Sequence, residues 1–259
     1  MPLKEINIFR KHGRQYVPDL RKASLPGIFR GKPVISRDIS VVEAEMVTQL
    51  CPVGAIVHSA PGGAGASCSI DLGKCVFCRE CEFALPGKIR FTNDHKIATN
   101  VRERLIVPAG EDRPVELDPG KVRSEIRSLF KHALKLRQVS AAGDNSAEME
   151  LNAAGNVNFD MGRYGIEFVA SPRHADGIVI TGPISQNMAE ALQICYDAVP
   201  TPKIVILAGT DAISGGIFGK QEALNRRFLE NLHVDLFIPG NPPHPLTFIN
   251  GILDLIGRK

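Results

Sequence analysis

Five of the six cysteines of this chain lie between positions 51 and 81, and their spacing suits metal binding. Cys75, Cys78 and Cys81 form a C-x2-C-x2-C run. Three thiolates at this spacing can bind one face of a cubane cluster, whose fourth iron takes a thiolate from elsewhere in the chain. Zinc sites typically use two separated C-x2-C pairs, so the run favours an iron–sulfur cluster. With Cys51 as the natural fourth ligand, the sequence predicts one 4Fe–4S cluster bound by Cys51, Cys75, Cys78 and Cys81.

The other two cysteines lie outside this ligand spacing. Cys68 stands seven residues before Cys75 and is predicted to be a small structural residue. Cys195 stands alone and is predicted to be a buried apolar residue. The N-terminal sequence has no apolar stretch typical of an export signal, so we expect a cytosolic protein without a disulfide framework.

Composition excludes several classes of protein. Hydrophobic residues make up 44% of the chain and charged residues 23%, which is ordinary for a soluble globular protein and excludes a disordered or fibrous one. The net charge of +3 is too small to indicate nucleic acid as a partner. The longest apolar stretches fall well short of the roughly 18–20 residues that cross a bilayer.

The segment around the cysteines resembles a bacterial-type two-cluster ferredoxin domain over residues 51–92. In that family two C-x2-C-x2-C-x3-C-P runs each give their fourth cysteine to the cluster of the other run. Here the first run keeps only Cys51 with its proline, and the second run lacks its last cysteine. The four missing ligands all belong to one cluster, and apolar residues replace them: Val41, Ala44, Val47 and Leu85. The resemblance therefore implies a ferredoxin-like domain that keeps one of its two clusters.

Composition also divides the chain along its length. Residues 108–120, PAGEDRPVELDPG, hold three prolines and two glycines among charges, which is typical of a linker. We therefore expect a ferredoxin-like 4Fe–4S domain over residues 1–107, a linker over 108–120 and an α/β domain over 121–259.

The α/β domain begins with a helical pattern from Val122 to Leu134, in which apolar residues recur every three or four positions. The opposite face of this predicted helix is basic and carries Arg123, Arg127, Lys131 and Lys135. Such a face is most often solvated, and the alternative is docking onto an acidic partner or a membrane surface.

Strands and helices alternate in the rest of the chain. Strands are predicted over residues 177–181, 203–208 and 234–238, each followed by a helix, over 187–198, 221–231 and 246–256. This alternation is typical of βαβ units and a parallel sheet. Loops at the carboxyl ends of such strands meet at one edge of the sheet, so a site is expected there.

Three long stretches of this part resemble the small, 20 kDa-type subunit of complex I and of energy-converting nickel–iron hydrogenases, including the formate hydrogenlyase type. They are RYGIEFVASPRHADGIVITGPIS (163–185), VPTPKIVILAGTDAISGGIF (199–218) and VDLFIPGNPPHPLTFINGI (234–252). The resemblance implies a flavodoxin-like sheet whose loops face a large catalytic or quinone-site subunit.

That family holds a proximal 4Fe–4S cluster through four cysteines, in SCNGCE-like, GACA and PGCPP elements. The positions that match them here are Asp144, Ala147, Asp211 and Asn241. Carboxylate and amide oxygens do not match the soft thiolates that an iron–sulfur cluster selects, and alanine offers no ligand. The resemblance therefore implies that the proximal cluster is absent.

Three interpretations of these polar residues remain open. The first is that side chains and water fill the vacated space and bond to one another, to backbone or to a basic residue of a partner. The second is a magnesium or calcium site formed by Asp144, Asp211, Asn241 and Glu148. The third is an unusual oxygen-ligated cluster. Two carboxylates in one closed pocket repel each other, so one of them is expected to have a raised pKa.

Together these expectations describe a non-catalytic subunit of an energy-converting, hydrogenase-related membrane complex. By resemblance, its partners are a large hydrogenase-like (complex I 49 kDa-like) subunit and, through it, antiporter-like membrane-arm subunits. The complex would place the chain on the inner face of the cell membrane. One hypothesis is a scaffold and coupling subunit that keeps one 4Fe–4S cluster. The other is an electron-transfer subunit of a hydrogenase or NADH-quinone oxidoreductase-like enzyme.

Overall fold

The computed structural model describes residues 16–58 and 68–258, together with Glu5, Ile8 and Arg10. We call the described residues up to 120 the N-terminal half and those from 121 the C-terminal half. The strands of the N-terminal half are β1 (Pro33–Ile35), β2 (Ile56–His58), β3 (Cys68–Asp71), β4 (Ile89–Phe91) and β5 (Ile106–Pro108). Its helices are α1 (Val41–Leu50) and α2 (Glu80–Ala84).

Antiparallel pairs organise the N-terminal half. Strand β1 pairs with β4, and β3 pairs with both β2 and β5. Helix α1 begins with a capping box, in which the Ser40 hydroxyl accepts from the Glu43 amide and the Glu43 carboxylate accepts from the Ser40 amide. The Lys88 ammonium also binds the Glu43 carboxylate at 2.7 Å, which ties α1 to the turn before β4. These contacts orient α1 so that Cys51, which follows it directly, faces the inside of this half.

A five-stranded parallel sheet organises the C-terminal half. Its strands are β6 (Leu134–Ser140), β7 (Ile166–Phe168), β8 (Gly177–Thr181), β9 (Ile204–Ala208) and β10 (Leu236–Ile238). Its helices are α3 (Ser124–Leu129), α4 (Ser146–Ala154), α5 (Gln186–Ala198), α6 (Thr210–Ser214) and α7 (Pro245–Leu255). The strand order is β10-β9-β8-β6-β7, and all neighbouring pairs are parallel. This is the flavodoxin-like order, so the expected α/β sheet is confirmed.

Burial explains why the central strands could be recognised in the sequence. Every residue of β8 and β9 is buried, as expected for parallel strands covered on both faces. Helix α7 is buried at all of its positions except Asp254. The reversal of strand order between β6 and β8 opens a crevice at the carboxyl ends of the strands, where ligands bind in folds of this class.

Two predicted helices differ from the structure. The helix expected from Val122 to Leu134 ends at Leu129, and Leu134 begins strand β6, where buried Leu134 and Leu136 alternate with exposed Lys135. The prediction of a helix over 221–231 was wrong, because this segment holds only a short 3-10 turn at Arg227–Leu229. Its backbone instead pairs with the residue before α5, through a bridge between Leu224 and Ser185.

The two halves pack against each other through buried apolar side chains. One cluster of buried apolar residues includes Ile35 and Ile70 from the N-terminal half and Ile178 and Leu207 from the C-terminal half. Residues 108–120, predicted as a linker, run along the N-terminal half. The amides of Ala109 and Gly110 donate there to backbone carbonyls at 2.8 Å, and the Lys32 ammonium binds the Asp112 carboxylate at 2.7 Å. No helix in the described part of the chain has the length and apolar character needed to span a membrane.

Candidate functional site

The four cysteines predicted as ligands line a single cavity, which we call the cysteine cavity. Cys51 lies at the C-terminal end of α1, Cys75 and Cys78 lie on the loop after β3, and Cys81 lies in α2. The structure therefore brings together residues that are up to thirty positions apart in the chain. Cys68 is buried within β3 and does not line this cavity.

The loop between Cys75 and Cys81 has an unusual backbone. Phe77 and Arg79, the neighbours of Cys78, both have positive φ, at 53° and 70°. Residues other than glycine adopt this conformation at a cost on the order of 1–2 kcal/mol each, and such strain is concentrated at functional sites. The Arg79 guanidinium holds the turn by an ion pair with Glu82 at 2.6 Å. This curled backbone is what turns three thiols of one short run toward the same cavity.

The surroundings of the sulfur atoms act on the thiolate form in two opposite ways: backbone amides stabilise it, and burial disfavours it while no metal is bound. The Ala55 amide donates to the Cys51 Sγ and the Phe77 amide donates to the Cys75 Sγ, both at 3.3 Å. Burial raises the pKa of the Cys75 and Cys81 thiols to about 12, and the negative charge of neighbouring thiolates raises it as well. Bound iron would displace these protons, because the metal ligand is the thiolate.

The donor set of the cysteine cavity fits an iron–sulfur cluster. It offers four soft sulfur ligands, and apolar side chains such as Val53, Ile56 and Phe91 complete the lining. Among the described residues, no group of three or more His, Cys, Asp or Glu side chains is arranged to hold a metal ion. The four thiols around one cavity match in number the protein ligands of a 4Fe–4S cluster, in which each iron takes one.

The four positions that the resemblance matches to the family's cysteines also meet. Asp144, Ala147, Asp211 and Asn241 line a second cavity of about 10 Å³, which we call the polar pocket. It lies at the carboxyl ends of the sheet strands, beside the reversal of strand order. Its volume is too small for an organic ligand and is about that needed for one water. Its oxygen donors and methyl group do not fit a 4Fe–4S cluster, which selects thiolates.

Asp211 is the least satisfied group in the polar pocket. Its Oδ1 atom is buried and has no hydrogen-bond partner among the described residues. It lies against Gly216, where a Cβ would stand only 1.8 Å away, so this position has room for no side chain. The pKa of Asp211 is raised to about 6, chiefly by burial and also by the negative charge of Asp144, against the lowering effect of the Arg226 guanidinium. The repulsion expected between two carboxylates in this pocket is therefore present.

The other polar groups near Asp211 are bonded elsewhere. The Ser146 amide and hydroxyl both donate to Asp144, at 2.9 and 2.5 Å, and these bonds lower its pKa. Glu148 does not line the pocket; its Oε1 accepts a hydrogen bond from the Thr181 hydroxyl at 2.6 Å, whereas its Oε2 is buried without a partner among the described residues. Arg226 donates to four backbone carbonyls, those of Pro183, Asp211, Ala212 and Ile213, at 2.8 to 3.2 Å.

Thr210 joins the two cavities, and the sequence analysis missed it. Its side chain is fully buried, its hydroxyl donates to the Cys75 carbonyl at 2.8 Å, and its backbone amide donates to the Gly240 carbonyl at 2.9 Å. The two partners lie 135 and 30 positions away along the chain. No local spacing rule connects these positions, so only the assembled structure shows the link.

Comparisons with known proteins match the C-terminal half. The model of the family described as NADH ubiquinone oxidoreductase, 20 Kd subunit matches residues 145–255. A probable membrane-bound hydrogenase subunit of Pyrococcus furiosus is 34% identical over 115 residues, which cover 44% of this chain and 69% of that protein. An NADH-quinone oxidoreductase subunit of Geotalea daltonii is 39% identical over 114 residues, which cover 43% and 66%. The corresponding protein of Bacteroides thetaiotaomicron is 42% identical over 108 residues, which cover 41% and 55%.

A solved structure was also found, of the membrane-bound sulfane sulfur reductase, an archaeal respiratory membrane complex. One of its chains superposes with a TM-score of 0.44 at 28% identity, covering 49% of this chain and 70% of that one. The present chain spans between 55% and 69% of the length of the three relatives in sequence. The match to the Pyrococcus furiosus protein, at 34% identity over 69% of its length, shows that this chain belongs to the family of the NADH ubiquinone oxidoreductase 20 Kd subunit.

Proposed function

We propose that this chain is the iron–sulfur subunit of an energy-converting, complex I-like membrane complex and binds one 4Fe–4S cluster. The observation that carries the proposal is the convergence of Cys51, Cys75, Cys78 and Cys81 on one buried, largely apolar cavity. Membership of a family that contains both hydrogenase and NADH-quinone oxidoreductase subunits supports the type of complex.

We further propose that residues 1–107 form a ferredoxin-like domain, joined through 108–120 to the α/β domain of residues 121–259. The order strand–helix–strand occurs twice, as β1-α1-β2 and β3-α2-β4, with outer and inner strands paired antiparallel. Cys51 follows the first helix and the C-x2-C-x2-C run borders the second, so each repeat contributes ligands. At the positions of the lost cluster, Ala44, Val47 and Leu85 are buried in the core, whereas Val41 is exposed.

The residues of this chain would control how the cluster is held. A bound cluster supplies one-electron transfer. The amides of Ala55 and Phe77 donate to two of the sulfurs and would stabilise their negative charge. Val53, Ile56 and Phe91 would keep water from the cavity, which also influences the reduction potential.

The polar pocket supports a scaffold and coupling role. The family's proximal cluster would have no thiolate at Asp144, Ala147, Asp211 or Asn241, so the proposed electron path ends at the cysteine cavity. In this role the chain links a large hydrogenase-like (complex I 49 kDa-like) subunit to membrane-arm subunits at the inner face of the membrane. The retained cluster then serves mainly to hold the N-terminal half together.

One observation favours electron transfer as the alternative. Thr210 bonds the loop of Cys75 directly to the loop of Gly240, so the cysteine cavity lies beside the loops that, by resemblance, face the large subunit. An electron on the proposed cluster could then pass to that partner without a proximal cluster.

Counting iron tests the proposal. Anaerobically purified protein is expected to contain about four iron and four sulfide per chain, since one cubane cluster holds that number. A content near eight would contradict the loss of the other clusters, and a content near zero after reconstitution would contradict the cysteine site.

A matched pair of variants tests the ligand assignment. Cys78→Ser is expected to abolish most of the cluster absorbance, because it removes one of four thiolates. Cys68→Ala is the control, since Cys68 is buried outside the cavity, and it should keep the full iron content. Equal iron loss in both variants would mean that the ligand set is wrong.

A further inference from the structure

Arg127, on the basic face noted in the sequence, is a half-buried cation with a side-chain nitrogen that has no hydrogen-bond partner among the described residues. It lies in the last turn of α3, and its Nε atom is buried without a hydrogen-bond partner among the described residues. None of the ion pairs in that part of the chain includes it. A guanidinium remains charged at any ordinary pH, and burying an unpaired donor is unfavourable. The position therefore calls for an acceptor.

Arg127 opens into a cleft, here called the arginine cleft. Its volume is about 750 Å³, and its lining includes Arg21, Arg127, Tyr164, Asp254 and Arg258. The cleft is open to solvent, so a phosphate can enter whether it is free or carried on a larger molecule. The cleft lies near the amino ends of β6 and β7, at the opposite edge of the sheet from the polar pocket.

Helix capping does not explain Arg127. Helix α7 ends beside it in a Schellman motif, in which the Arg258 amide donates to the Leu253 carbonyl at 2.8 Å and the Gly257 amide donates to the Asp254 carbonyl at 3.2 Å. Gly257 has a φ of 72°, and a Cβ there would stand 3.4 Å from the Arg127 Nε. The last turn of α7 therefore lies against the Arg127 guanidinium but accepts no hydrogen bond from its Nε atom.

The neighbouring charges are already engaged. Arg21 pairs with Asp254 at 2.6 Å and also donates to the Arg258 carbonyl. Arg258 donates to the Tyr164 carbonyl through one terminal nitrogen. The Asp19 carboxylate, also in the lining, accepts from the Arg21 amide at 2.9 Å. Three arginines thus line the cleft with two aspartates, and neither Arg127 nor Arg258 takes part in an ion pair among the described residues, so the cleft carries excess positive charge.

We propose that the arginine cleft binds an oxyanion of the phosphate class, with Arg127 as its principal donor. The planar guanidinium presents two parallel N–H groups that match a phosphate in bidentate fashion. The source is either free phosphate or the phosphate headgroup of a lipid, since both present the same oxygens to the cleft. This site is independent of the iron–sulfur proposal.

Thermal unfolding of the full chain with inorganic phosphate tests the proposal. The melting temperature of the wild type is expected to rise and saturate with phosphate, against sodium chloride of equal ionic strength. Arg127→Gln should weaken phosphate binding by at least about tenfold, and Arg127→Lys should fall between, because lysine keeps the charge without the fork. Arg90→Gln is the matched control, since Arg90 is an exposed cation on β4, and it should bind as the wild type does.

Vesicles distinguish the two sources. The wild type is mixed with phosphatidylcholine vesicles with and without phosphatidic acid, and sedimentation is compared with that of Arg127→Gln. Binding that needs phosphatidic acid and Arg127 supports the proposal with a lipid headgroup as the source. A phosphate-specific shift without vesicle binding supports it with free phosphate as the source. No phosphate-specific shift together with no vesicle binding, or equal losses in Arg127→Gln and Arg90→Gln, would overturn it.

Discussion

The cysteine cavity and the polar pocket are each formed by four positions on loops and helix ends, but they differ in every chemical respect. The cysteine cavity offers four thiols and an apolar lining. The polar pocket offers two carboxylates, an amide and a methyl group, and one of its carboxylate oxygens has no partner in the described structure. The fold brings both sets of positions together, whereas the side chains at a few of those positions determine which ligands each cavity can bind.

The two cavities also differ in their backbone conformation and in the groups that stabilise their polar or charged atoms. In the cysteine cavity, two left-handed residues hold the loop in shape, and amides donate to the sulfurs. In the polar pocket, Asp144 bonds within its own turn, and Arg226 donates to carbonyls while it opposes the charge of Asp211. The first arrangement holds four thiols around one cavity, and the second consists of polar groups that are only partly hydrogen-bonded.

Exchanging the chemistry of the polar pocket is the strongest way to test this comparison. A quadruple variant, with cysteine at Asp144, Ala147, Asp211 and Asn241, restores four thiols on converging positions. We expect it to bind a second 4Fe–4S cluster after anaerobic reconstitution and to gain about four iron per chain. Serine at the same four positions is the control and should gain none. If the cysteine variant folds but gains no iron, the backbone of the pocket no longer suits a cluster.

Removing the link between the cavities tests whether they depend on each other. Thr210→Val keeps the shape of the side chain but leaves the Cys75 carbonyl without this donor, so we expect a loss of about 1–3 kcal/mol in the free energy of unfolding. Urea unfolding measures it. In the control Thr48→Val, the lost hydroxyl donates to the Ala44 carbonyl within α1, and the loss should be smaller. Equal losses would mean that the link adds no specific stability.

The pH dependence of stability should distinguish the two acids of the polar pocket. An unfolded Asp211 releases its proton near pH 4, whereas the folded one keeps it to about pH 6. The folded state binds more protons in this window, so its stability falls as pH rises through it. Asp211→Asn removes this loss and should be more stable than the wild type above pH 6, by on the order of 1–2 kcal/mol.

Asp144→Asn is the companion measurement, with the opposite sign. The Ser146 hydrogen bonds lower the pKa of Asp144, so its contribution is present above the ordinary aspartate pKa and is lost as pH falls. Unfolding is followed in urea from about pH 2.5 to 7.5 for the wild type and both variants, because the contribution of Asp144 is lost only below its ordinary pKa of 3.8. If the wild type and Asp211→Asn have parallel profiles, the buried charge of Asp211 plays no part in stability.

The smallest expected effect concerns divalent cations. We expect magnesium and calcium to leave the melting temperature of the wild type within about 1 °C, because Asp144 is bonded to Ser146 and the charge of Arg226 opposes that of Asp211. Thermal melts with each cation, beside Asp211→Ala, measure this. A saturable rise in the melting temperature that is abolished by Asp211→Ala would show that the polar pocket binds a cation.

Prediction from the sequence succeeded where local pattern decides structure. The apolar runs of β8 and β9 and the periodicity of α5 placed these elements within one residue of their observed bounds. Strand β6 was missed, because Leu134 continues the helical spacing that begins at Val122, and only pairing with β7 and β8 makes it a strand. Residues 221–231 have a helical pattern too, yet the guanidinium of Arg226 ties the segment to carbonyls of two other loops.

The donor atoms available at each site can be read from the sequence alone, because residue type and spacing are properties of neighbouring residues. A C-x2-C-x2-C run implies soft ligands for a cluster, and aspartate or alanine in place of cysteine removes them, whatever the fold. Only the tertiary structure decided which groups end without a partner. Asp144 is satisfied within its own turn, whereas Asp211 and Arg127 each keep a buried atom unpaired. Burial and pairing depend on segments far apart in the chain, and no local spacing records where they meet.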